Sequence, residues 1–279
     1  MLKKFSTMEN IENKTDNPSI SIAQAFLIIG ILFAVSLSVS LLQVAVLQQL
    51  PGAKSWILLF SYMLQFGLAL LISVKIFNIK YFDTNKFKIS VLLLSLVLIF
   101  ALSLISESLA SLIPMPDFIA ELFKDAITLD FAGFLTVGIA APMLEELLFR
   151  GVILAALLRR YSPTKAIIWS AVIFGIAHLN PWQFIAAFII GCTIGWLFWK
   201  TGSIWIGIIM HCANNSASFL LGYLTGDINA SVTDMFGGPI THAIVLFACV
   251  LASFGTFQIL NRKIFGITKV SDDATAVKF

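Results

Sequence analysis

The sequence predicts an all-α membrane protein, a polytopic bundle of about eight transmembrane helices with both termini cytoplasmic. Three observations carry that expectation. Of 279 residues, 59% are hydrophobic and only 12% charged, where a soluble domain carries about 25% charged residues. The apolar residues fall in blocks of roughly 20, the length that crosses a bilayer core. The cations gather on alternate links between those blocks, as the positive-inside rule requires. Mean hydropathy is +0.95.

The blocks run over 21–47, 54–77, 89–113, 131–157, 165–180, 184–200, 203–222 and 240–260. The first is too long for the apolar core of a cleaved signal peptide and reads as a retained helix. Pro51-Gly52 separates it from the second. "NIKYFDTNKFK" and "PMPDFIAELFKDAITLD" form the next two links, then "RRYSPTK", "NPWQ", "KTGS" and "TGDINASVTDMFGGP". All are rich in turn-forming residues. With the N-terminus inside, the outer links hold only Lys54 and Lys124, and every other cation but Arg150 falls inside. Gly191 and Gly195 make a small-xxx-small pair that lets two helices approach closely. Four regions follow: a polar tail over 1–20, three accessory helices over 21–130, a core over 131–225, and a loop, last helix and tail over 226–279. The net charge of +3 is spread over short loops, so no nucleic-acid-binding patch is expected. Cys192, Cys212 and Cys249 lie in apolar blocks and read as small buried hydrophobes.

Polar groups at membrane depth then mark a site. A charge there costs about 2.5–3.5 kcal/mol on insertion scales, yet "PMLEELLFRG" (142–151) holds Glu145, Glu146 and Arg150. Glu146 and Arg150, four apart, share a helix face and can pair. Glu145 is turned about 100° away and has no partner on its own helix, which leaves it open to act as a general base. Phe174 and His178 have the same spacing of four, as have His211 and Asn215. If the three faces converge, one carboxylate, two imidazoles and an amide line a cavity. Such a set can hold and deprotonate a water, with Asn215 as an oxyanion donor, or ligate a metal. Glu107 and His242 read as peripheral. Helix rise sets Glu145 and His178 about 11 Å apart in height unless a helix tilts or unwinds near Asn180-Pro181.

"EELLFR" (145–150), "FGIAH" (174–178) and "HCANN" (211–215) resemble, in order, the EExxxR, FxxxH and HxxxN motifs of the CPBP family of intramembrane proteases, which includes CAAX prenyl endopeptidases and bacterial Abi proteins. The resemblance covers 131–225. It implies proteolysis of membrane-associated or lipid-modified peptides. The Lys-, Phe- and Ile-rich composition points to a bacterial plasma membrane, with a eukaryotic endoplasmic reticulum as the alternative. Glu145 would be the base, His178 would help hold the water, and His211 and Asn215 would steady the oxyanion. Glu146, Arg150 and Phe174 would support them. A cofactor is left open: zinc on Glu145, His178 and His211, or a glutamate mechanism without metal, which the lack of an HExxH pattern favours. A proton-coupled transporter and a non-catalytic immunity or scaffold protein are the competing readings.

Overall fold

The computed structural model describes residues 18–79, 82–226 and 236–264. Most of the polar N-terminal tail, most of the last loop and the C-terminal tail lie outside the described residues. Among the described residues nine helices follow in order: α1 (Ile22–Gln49), α2 (Lys54–Ile76), α3 (Ile89–Ala110), α4 (Asp117–Ala126), α5 (Phe131–Leu158), α6 (Pro163–Ala177), α7 (Pro181–Thr201), α8 (Ile204–Thr225) and α9 (Pro239–Gln258). Among the described residues there is no strand, only an isolated bridge between Thr84 and Ser203.

The chain is a multi-pass, all-α membrane protein, and the expected count of eight spans is approximate. Among the described residues six helices are long and apolar enough to cross a bilayer, or seven if α4 and α5 count as one span bent by 99°. Helix α6 has 15 residues, about 22 Å at 1.5 Å per residue, against a core about 30 Å thick. The outward faces of α1, α2, α3 and α9 bear exposed Leu41, Phe60, Leu93 and Phe247. In water such faces would be a liability, whereas hydrocarbon is their natural solvent.

The local sequence explains the helix ends. Ser21 and Gln24 close a reciprocal cap on α1, with bonds of 3.1 and 2.7 Å. Helix α4 occupies part of the link read as a loop. Its period puts Phe118, Ile119, Leu122 and Phe123 on one side and Asp117, Glu121, Lys124 and Asp125 on the other. At the corner into α5, Asp130 caps the helix from its side chain to Gly133 N at 2.8 Å and accepts from the Ser55 hydroxyl. That hydroxyl, followed by the Gly133 N–H, holds the Asp130 carboxyl below its ordinary range.

Helix α5 forms the centre. Its second half is sealed, with Leu148, Val152, Ile153, Leu154, Ala156 and Leu157 fully buried. Helices α2, α6, α7 and α8 pack around it, and α7 joins this core to α3. The expected close approach at Gly191 is present: a Cβ there would stand 3.3 Å from the Ala171 Cα. The link before α3 tucks beneath α7 and α8. Asn85 N bonds Gly202 O at 3.0 Å and Ile204 N bonds Asp83 O at 2.9 Å. Phe82 then fills the space that a side chain at Gly151 would need.

Candidate active site

Pro142 shapes the helix that carries the acidic pair. It brings no N–H to the turn, so the carbonyl four residues back, Gly138 O, loses its donor. The turns over Leu135–Ala140 and Leu147–Leu154 widen to π-helical pitch on either side of Ala141–Glu146, a departure often found at functional sites. Within a membrane the loosened carbonyls need partners from neighbouring helices. Helix α8 supplies them: Asn215 Nδ2 donates to Val137 O at 3.2 Å, Ser216 Oγ to Gly138 O at 3.4 Å and Cys212 Sγ to Ile139 O at 3.9 Å. Gly138 permits this approach, since a Cβ there would meet Ser216 Oγ at 2.8 Å.

With α8 docked, its residues 207, 211 and 215 form one stripe against α5. Gly207 lies beneath Glu146, where a Cβ would be 2.8 Å from Oε2. His211 Nδ1 donates to Glu146 Oε1 at 2.9 Å, because a carboxylate oxygen can only accept. Arg150 Nη1 lies 2.8 Å from the same oxygen, a close ion pair whose N–H does not point along the contact. Arg150 Nη2 reaches Gly191 O at 3.4 Å. The expected i, i+4 pairing is therefore present. Both partners are buried, at 0% and 1% exposure, so neither charge is relieved by solvent.

Glu145 points away from that pair, as its helical position requires. Its partners come from other helices. Tyr62 Oη, on α2, donates to Oε1 at 2.6 Å, and His211 Nε2 stands 3.7 Å from Oε2. The second distance is too long for a direct hydrogen bond and short enough for one water to touch both groups. His211 thus stands between the two glutamates.

Phe174 joins the third motif to this cluster. The Arg150 guanidinium lies over its ring at 4.8 Å, a cation–π contact. His178 and His211 both pack edge-on to it, with centroids 5.0 and 5.8 Å away. His178 follows the last residue of α6 and its Nδ1 bonds Phe174 O at 2.9 Å. The chain unwinds just beyond, at Leu179 with φ 58°, near the break that the height difference called for. All three motif helices therefore meet, with Phe174 between the imidazoles. Next to Asn215, the buried Asn214 accepts from Ser103 of α3.

Among the described residues no three of His, Cys, Asp and Glu gather closely enough to hold a metal ion. Each imidazole engages its Nδ1, with Glu146 and with Phe174 O respectively, which leaves Nε2 as the nitrogen open to a water or a metal. His242 lies elsewhere, against Ser108 at 2.9 Å.

Comparison with known proteins agrees with the motif reading. Residues 127–217 match the family model described as Type II CAAX prenyl endopeptidase Rce1-like. A Bacillus subtilis (strain 168) protein named "Putative membrane peptidase YdiL" is 34% identical over 79 residues, 28% of this chain and 32% of that protein. The chain thus matches about a third of that relative's length. No solved structure matches. Both matches support the CPBP family. The family match holds Glu145, Glu146, Arg150, Phe174, His178, His211 and Asn215, and it ends well short of Tyr62, which sequence reasoning missed. The one signal there was a phenol inside an apolar span, since a buried Tyr hydroxyl needs a partner.

Proposed function

We propose that the chain is an intramembrane endopeptidase of the CAAX-protease type, in which Glu145 deprotonates a water that attacks the scissile carbonyl. The observation that carries the reading is the 3.7 Å gap between Glu145 Oε2 and His211 Nε2. Each group is held from behind, Glu145 by Tyr62 and His211 by Glu146, so the facing atoms are left to a water. On attack its proton passes to Oε2, and the carbonyl oxygen becomes an oxyanion. The second amide hydrogen of Asn215 is a donor for that charge, and His211 Nε2 becomes one when the ring carries a proton on both nitrogens, Nδ1–H being already given to Glu146; preorganised donors in a dry site act strongly. His178 completes the water's surroundings from α6. The proton on Glu145 then goes to the leaving amine.

Glu146 and Arg150 orient this machinery. Glu146 fixes the His211 ring and its tautomer, and Arg150 offsets the buried carboxylate. The match to the peptidase family and the peptidase relative support hydrolysis of a peptide bond. A membrane-associated or lipid-modified peptide suits a site enclosed by apolar helices, with the core over 131–225 and both termini cytoplasmic in a plasma membrane. No step is routed through a metal.

The test compares peptide termini in membranes from cells carrying wild type or Glu145→Gln at matched expression. Gln keeps an acceptor for Tyr62 and loses the base. Termini present only with wild type are the expected result. Identical termini would overturn the reading.

A further inference from the structure

We infer that Tyr62 is a positioning residue for Glu145: its phenol holds Oε1 and so keeps Oε2 facing His211 across the place of the attacking water. The inference rests on the reading of Glu145 as the base. Tyr62 lies outside the matched stretch 127–217, on a helix that the motifs do not reach.

A carboxylate keeps one orientation where a donor fixes it. The phenol lies at 2.6 Å from one oxygen. His211 Nε2 stands 3.7 Å from the other, with its lone pair toward the cluster because the ring gives Nδ1–H to Glu146. Two acceptors do not hold each other, so without the phenol the carboxylate is free to rotate and to carry Oε2 out of line with the gap the attacking water needs. The phenol is well placed to prevent this. Its ring stacks on Phe66, one turn further along α2, at 4.7 Å and 16°. Helix α2 in turn packs on α5 across the region of the acidic pair. A bond from a neutral donor to a carboxylate is among the stronger hydrogen bonds in a protein.

The experiment uses the full-length protein in detergent or liposomes. The probe is a quenched fluorogenic peptide spanning the first terminus that depends on wild type. Tyr62→Phe removes one oxygen and keeps the stack on Phe66. The expected result is a kcat lower by about 10- to 100-fold, KM within about twofold, and unchanged melting. A lower melting temperature with kcat retained would mean that the phenol only braces α2, and would overturn the inference. Wild-type kcat in Tyr62→Phe beside an inactive Glu145→Gln would overturn it too, while the endopeptidase reading stands. An active Glu145→Gln would overturn both. If Tyr62→Phe does not accumulate, 3-fluorotyrosine at position 62 replaces it. A kcat changed by more than about twofold is then expected, and an unchanged kcat refutes the role.

Discussion

Arg150→Met is the sharpest test of the buried charge pair. Methionine keeps most of the apolar stem and loses the guanidinium. Glu146 is wholly buried, its Oε2 has no partner, and its Oε1 is shared by Arg150 and His211. Removing Arg150 leaves that carboxylate with one donor and no permanent counter-charge. Breaking a buried pair from one side costs about 3–5 kcal/mol. At about 2–4 °C per kcal/mol, the melting temperature should fall by about 6–20 °C. Glu146→Gln combined with Arg150→Met removes both charges and should recover more than half of the loss, since neutral replacement of a buried pair is often harmless. Thermal unfolding of purified protein in detergent, read by circular dichroism, measures both. A single variant melting within about 2 °C of wild type, or a double variant no better than the single one, would refute the argument.

Two further outcomes follow from single positions. Gly207→Ala would press a Cβ to 2.8 Å from both Glu146 Oε2 and Ile194 Cγ2, costing about 1–3 kcal/mol in the same melting assay; Gly30→Ala, with nothing within 4 Å, should be neutral or slightly stabilising. Asp130 gives a pH signature. Its carboxyl is held below the ordinary aspartate range by Ser55 and Gly133, so its contribution is complete above that range and is lost as pH falls through the lower folded value. The difference in melting temperature between wild type and Asp130→Ala should therefore be larger at neutral pH than at pH 3, and an equal difference at both would refute the role of the charge.

Much of the site was readable because helical geometry converts spacing into direction. Glu146 with Arg150, Phe174 with His178, and His211 with Asn215 each stand four apart, so each pair shares a face before any packing is known. Glu145 follows as the odd member, turned away from its neighbour. The widened turns around Pro142 were less readable, although the proline was visible. Their pitch depends on whether α8 offers Asn215, Ser216 and Cys212 to the loosened carbonyls, which is a property of two helices together. Helix α4 was passed over because a helix of 10 residues between turn-forming segments resembles a link in composition.

The sequence by itself determined the solvent, the all-α class and the depth of the polar groups. Hydrocarbon demands long apolar runs with internally bonded backbones, and it leaves each buried charge conspicuous. Only the tertiary structure decided which faces meet. It set His211 between Glu145 and Glu146, placed Phe174 between the two imidazoles, and brought Tyr62 to Glu145 across 83 residues of chain. Sequence periodicity fixes directions about one helix axis. Contacts between helices depend on crossing angles and on small residues such as Gly138, Gly191 and Gly207, whose missing side chains let the axes approach.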